Sequence, residues 1–102
     1  MGTEIEVVQE EKVTTKLLPP TLWKVVFHND DYTPMDLVID ILKKIFKHTE
    51  TSAKDITMEI HNTGAGIAGV YTFEIAEQKG IDATFIAREN GAPLKITVEE
   101  EI

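Results

Sequence analysis

Cysteine is absent from this 102-residue chain, which removes disulfides and thiolate metal sites at once and is compatible with a cytosolic home. Positive charge is scarce. Ten Lys and Arg stand against 18 Asp and Glu, a net charge of −8 that argues against binding a nucleic-acid backbone. No apolar run reaches the length of a membrane span. The stretch from Met1 to Glu11 is acidic and lacks the form of a signal peptide. What remains is a chain with 42% apolar residues, enough for one small domain with a single core.

Residues 1–18 carry Glu4, Glu6, Glu10 and Glu11 without a sustained apolar face and read as a flexible, disordered N-terminal extension. Pro19-Pro20 interrupts regular structure and marks the start of a domain over residues 19–102. Leu22 to His28 is rich in β-branched and aromatic residues, which predicts a strand. Met35, Val38, Ile39, Leu42, Ile45 and Phe46 fall at helical spacing and predict an amphipathic helix ending near Lys47. Thr33 suits its N-cap, Pro34 its first position, and Asp36 a capping box. A second helix is expected after Thr49 or Thr51, turning Ala53, Ile56 and Ile60 inward and stopping at Asn62-Thr63-Gly64.

Gly66 to Tyr71 predicts a second strand, and Thr72 caps a third helix running to about Glu89. Gly80 inside that helix costs roughly 1 kcal/mol against Ala, which suggests a close packing partner. Asn90-Gly91 is a left-handed stop, and Leu94, Ile96 and Val98 alternate with polar residues in a last, half-buried strand. The order is β-α-α-β-α-β, an α+β domain with a small sheet covered by helices on one face.

The densest chemistry lies at the first strand-to-helix corner, His28-Asn29-Asp30-Asp31-Tyr32-Thr33-Pro34-Met35. It sets an amide and two carboxylates beside an apolar helix face, which suits capture of a small cation. Taken singly, each residue has a plainer explanation. Asp30 and Asp31 serve as turn residues, Met35 as core, and His61 as a residue near a helix C-terminus. His28, Asp30, Asp31 and His61 lack the helical spacing of a metal site, so no metal or other cofactor is expected. Gly64-Ala65-Gly66-Ile67-Ala68-Gly69 matches a dinucleotide-binding pattern literally, but it follows a helix and leads into a strand, the reverse of what a phosphate needs. No nucleophile-and-base pattern is present.

Five blocks together carry a resemblance: Asn29 to Met35; His61; Gly69-Val70-Tyr71-Thr72; Glu74 to Lys79; and Ala87-Arg88-Glu89-Asn90 with Pro93-Leu94. In order and spacing, from about residue 19 to the C-terminus, this chain resembles the ClpS family. These adaptors bring N-end-rule substrates to a Clp protease. The resemblance implies a three-stranded antiparallel sheet packed against three helices, and binding rather than catalysis. It implies that Asn29, Asp31 and His61 hold a substrate's α-amino group, with Asp30 and Thr33 supporting that rim. Phe27, Met35, Val38, Thr57 and Leu94 would line a hydrophobic pocket for a first residue that is Leu, Phe, Tyr or Trp. Glu74, Glu77 and Lys79 would dock on the N-terminal domain of a ClpA or ClpC unfoldase. The implied protein is a cytoplasmic monomer with no nucleic-acid or membrane partner. One departure is Thr57, where the family usually has a bulky apolar residue. It leaves open a second reading, an unfoldase modulator with altered or lost N-degron preference.

Overall fold

The computed structural model describes residues 3–9, 12–18 and 21–102, the first two segments as backbone only. Thr3–Gln9 (β1) and Lys12–Leu18 (β2) pair antiparallel, with Thr3 opposite Leu18 and Gln9 opposite Lys12. They form a two-stranded sheet separate from that of the domain. Patterning alone assigned no strands here, because the leader has no sustained apolar face. Its wealth of β-branched residues nonetheless suits local strand pairing. The expected Pro19-Pro20 boundary lies outside the described residues.

From residue 21 onward the expected β-α-α-β-α-β order is found: Leu22–His28 (β3), Met35–Lys44 (α1), Glu50–Thr63 (α2), Ala65–Thr72 (β4), Phe73–Glu89 (α3) and Lys95–Glu100 (β5). The sheet order is β4-β3-β5, with both pairings antiparallel. Among the described residues, no helix is long and apolar enough to cross a membrane.

The β3–β4 register shifts once: Val25 pairs with Gly69 and Val26 with Ile67, so the extra residue, Ala68, lies in β4. Val25, Val26 and Phe27 of the central strand are all buried. Phe27 meets Phe46 edge to face at 5.5 Å between ring centroids. Val38, Ile41 and Leu42 of α1, Ala53 and Ile60 of α2, and Leu94 close the core around that contact. α3 lies across all three strands of this sheet, and its small residues Ala76, Gly80, Ala83 and Ala87 form the buried stripe. A Cβ on Gly80 would sit 3.3 Å from Val98 Cγ2, which supplies the close partner the sequence suggested.

The helix ends differ from expectation in instructive ways. α1 is capped in position by Pro34 with no side-chain hydrogen bond, because Thr33 is held elsewhere and Asp36 closes no capping box. α1 ends at Lys44 rather than Lys47; Lys47 takes a positive φ of 60° and the His48 N–H returns to the Leu42 carbonyl. α2 is capped by Thr49, whose hydroxyl accepts from the Ser52 N–H. It stops at Gly64, whose φ of 96° favours glycine. Thr72 sits at the N-cap of α3 without the expected side-chain bond, and its hydroxyl is buried without a partner.

Candidate functional site

Where β3 runs into α1, the chain must reverse from strand to helix over six residues, Asn29 to Pro34. Asp30 organises that reversal. Its Oδ1 accepts from the Tyr32 and Thr33 N–H groups, both at 2.7 Å, and its Oδ2 accepts from the Thr33 hydroxyl at 2.7 Å. Thr33 is therefore spent on Asp30 and not on the helix. Partial burial works to raise the Asp30 carboxyl. The Thr33 hydroxyl, the two N–H donors and the more distant Arg88 charge outweigh it and hold the pKa below the ordinary carboxylate value.

A backbone bond then fixes the corner against the end of α2: the Asn29 N–H donates to the Gly64 carbonyl at 2.9 Å. The last turn of α2 carries His61, so this tie brings Asn29, Asp31 and His61 onto the rim of one cavity of about 270 Å³. Among the described residues, none of these three side chains makes a hydrogen bond, whereas Asp30 has spent its oxygens. The corner therefore divides its polar groups into one that builds the turn and three that face outward with lone pairs to offer.

Below the rim the walls are apolar. Val38 from α1, Ile60 from α2 and Leu94 from the segment before β5 are all buried, and Met35 stands at the mouth, 40% exposed. Thr57 completes the wall. It is buried, but its hydroxyl donates to the Ala53 carbonyl at 2.7 Å within the same helix, which takes the donor away from the cavity. Arg88 fixes the remaining wall from behind, its Nη1 donating to the Ala92 and Leu94 carbonyls at 2.9 Å each.

Most residues the sequence singled out converge here, with one exception. Phe27 is fully buried in the core against Phe46 and is not part of the cavity wall, because the strand register turns it inward beneath the floor. Two wall residues, though noted in the sequence, lay outside the pocket set that the resemblance implied. Ile60 lies one helical turn from Thr57, so the i, i+3 spacing could have found it. His28 also borders the cavity, with Nε2 2.8 Å from the Thr97 hydroxyl, a pairing across strands that no local spacing reveals. Glu74, Glu77 and Lys79 lie apart on α3. The two carboxylates are exposed, while the Lys79 ammonium is turned inward, donating to the Ile45 carbonyl at 2.8 Å beside the Tyr71 and Phe46 rings. Among the described residues, no three His, Asp or Glu side chains come together as metal ligands would.

Comparison with known proteins supplies the family. Residues 18–97 match the family model described as ATP-dependent Clp protease adaptor protein ClpS. The chain is 46% identical over 91 residues to an ATP-dependent Clp protease adapter protein ClpS from Shewanella denitrificans, covering 89% of each protein. Its fold is similar to that of Agrobacterium tumefaciens ClpS2 bound to L-phenylalaninamide, with a TM-score of 0.78 and 39% identity over 80% of this chain and 99% of that one. The chain belongs to the ClpS family.

Proposed function

Taking membership of that family as the premise, we propose that this protein is a non-enzymatic, cytoplasmic adaptor that captures polypeptides beginning with Leu, Phe, Tyr or Trp. It then passes them to a ClpA- or ClpC-type unfoldase. The observation that carries the reading is the set of unspent acceptors, Asn29, Asp31 and His61, on the rim of an apolar-walled cavity. An α-amino group with a pKa of about 7.7–8.0 is largely cationic near neutrality and offers three donors. An amide oxygen, a carboxylate and a neutral imidazole nitrogen supply acceptors for all of them. A charge-assisted bond is worth about 1.5–3 kcal/mol, and burying a large apolar side chain adds about 1.5–3 kcal/mol. Neither contribution selects alone; together they require a free amine with a bulky residue directly beneath it. The similar Agrobacterium protein binds an amino-acid amide of this kind, phenylalaninamide.

In this reading Glu74 and Glu77 meet the unfoldase, which their exposure on α3 away from the cavity supports. Lys79 joins that surface with its stem while its ammonium serves the fold. Residues 1–18 precede the domain and are assigned to delivery rather than to peptide binding. Thr57 alone favours the second reading, an unfoldase modulator that has lost its degron preference.

Titration with a Phe-starting peptide and its N-acetylated form tests the proposal. Binding of the free amine and loss on acetylation are expected. Equal affinity for both forms, or for neither, would remove the adaptor reading and leave the modulator. Affinity should also fall as pH rises through the amine's pKa, because the ligand then loses the charge that the rim reads.

A further inference from the structure

Apart from the cavity, and sharing no lining residue with it, Gly80, Ile81, Thr84 and Phe85 of α3 and Ile96 and Val98 of β5 line an apolar groove of about 420 Å³. Ile81 is 56% and Phe85 62% exposed, large apolar side chains left in solvent. The groove runs beside an open strand edge. In the order β4-β3-β5, the outer side of β5 carries no strand among the described residues. The β4 edge differs: α2 packs against it, and the Ala68 carbonyl lies 2.5 Å from His48 Nε2. A helix alongside a free edge is an arrangement that takes an added strand, because the edge pairs with its backbone and the groove receives its alternate side chains.

Charge decides which strand fits. α3 runs antiparallel to β5, since Gly80 lies against Val98 whereas Arg88 reaches the Leu94 carbonyl. Glu77 therefore falls at the end of the groove toward Glu99 and Glu100, and Lys95 stands at the opposite end. Pairing with Trp23, Val25 and Phe27 sets Glu100, Val98 and Ile96 on the groove face, leaving Lys95, Thr97 and Glu99 on the other. An antiparallel guest is thus matched by Lys, Lys, an apolar residue, Thr, an apolar residue and Glu, read opposite Glu100 down to Lys95. Such a segment is net basic and is drawn to a chain whose net charge is −8. A second copy of this chain would bring −8 of its own, so charge disfavours it as the occupant.

We infer that the α3–β5 groove is a docking site for an extended, basic and apolar segment of a partner protein. The segment adds to β5 as an antiparallel strand and lays its two apolar side chains against Ile81 and Phe85. An edge reads backbone and alternate side chains and asks for no chain end, so its ligand differs from the one the cavity takes. Glu77 borders the same groove. If, as proposed above, Glu77 also meets the unfoldase, then the added strand and the unfoldase compete for it.

Fluorescence anisotropy of the full chain with the peptide Lys-Lys-Val-Thr-Val-Glu tests the inference. The peptide is acetylated at its N-terminus and labelled at its C-terminus, so the cavity has no amine to read and the result is independent of the adaptor reading. It should bind saturably, and more weakly as salt rises. Methylating the amide nitrogens of alternate residues removes either the donors that face β5 or those that face solvent. One methylated form should therefore lose binding and the other keep it. Phe85→Glu should weaken binding about tenfold, with helical circular dichroism unchanged. Glu100→Lys, at an exposed position, should weaken it about threefold. Absence of binding to the wild type overturns the inference, and so do equal affinities for the two methylated forms or indifference to both substitutions. A complex of twice 11.4 kDa in sedimentation would give the edge to a second copy, and tighter binding by a synthetic peptide of residues 3–18 would give it to this chain's own leader; either overturns the inference as well.

Discussion

The cavity beneath the β3–α1 corner and the groove beside β5 both have apolar walls, yet their borders have nothing in common. The cavity is walled by buried side chains from separate elements, and its rim holds acceptors whose lone pairs are unspent. The groove sets the exposed Ile81 and Phe85 beside half-buried Ile96 and Val98, and among the described residues its border is the unpaired edge of a strand. Burial supplies affinity in either place without choosing a partner. Choice comes from the border: acceptors of fixed position suit a cationic chain end, while an unpaired edge suits another backbone. If that division is sound, substitutions at one border should leave the other site untouched.

The largest effect is expected at Asp31. Asp31→Ala removes one charge-assisted bond of about 1.5–3 kcal/mol, so peptide affinity should fall about ten- to a hundredfold with stability unchanged. Phe85→Glu should leave that affinity as it was. Fluorescence anisotropy with a labelled Phe-starting peptide makes the comparison directly. If both variants weaken peptide binding equally, the two hollows are not independent.

Asp30 sharpens the same contrast within the rim, because it neighbours Asp31 in sequence but does different work. Asp30→Ala removes the acceptor that holds Tyr32 and Thr33, and should cost about 1–2 kcal/mol of stability, lowering Tm by roughly 4–8 °C for each kcal/mol. The sign with pH follows from a folded pKa depressed below 3.8. The carboxylate's contribution is complete above the unfolded value and is lost as pH falls through the folded one. Thermal melts of wild type and variant should therefore run parallel near neutrality and converge in acid. Parallel curves down to the lowest pH reached would deny Asp30 this part.

This difference between neighbouring acids marks how far the sequence could be read. Element order was legible because apolar periodicity is strong in α1 and β-branched runs are clear in β3 and β5. The corner was legible as a site because its residue types cluster. What no local pattern displayed was which acid would turn inward, since Asp30 and Asp31 have the same chemistry and only the geometry of the turn separates them. Thr33 was misassigned to the helix cap for a related reason: a hydroxyl can serve the turn before it or the helix after it. Phe27 was placed on the cavity wall although the register of β3 buries it. Long-range pairings such as His28 with Thr97 leave no trace in spacing.

A smaller effect is expected from the cavity floor. Because the Thr57 hydroxyl bonds back to Ala53, what the wall presents is short and nearly apolar, leaving room for a large first residue. Thr57→Met fills part of that room. It should change the relative affinities for Leu-, Phe-, Tyr- and Trp-starting peptides by about tenfold, the scale of one methylene in an apolar pocket. Titrations with peptides differing only at the first residue would show it; identical rankings would mean that Thr57 does not shape preference.

The smallest effect separates the part α3 plays in the fold from the docking role proposed for it. Lys79 donates to the Ile45 carbonyl just past the end of α1, and its ammonium lies 5.3 Å from the Tyr71 ring centroid and 5.9 Å from that of Phe46. A cation at a helix C-terminus and one beside an aromatic face are each worth about 0.3–1 kcal/mol at partly exposed sites. Lys79→Met keeps the stem and removes the charge, so it should lower stability by about 1 kcal/mol. Glu77→Gln, at an exposed position, should leave stability unchanged and, on the proposed docking role, weaken unfoldase binding. Thermal melts beside docking measurements on both variants decide the matter. A Lys79→Met protein that melts like wild type yet docks poorly would move the ammonium from the fold to the partner, and α3 would then present one continuous docking surface.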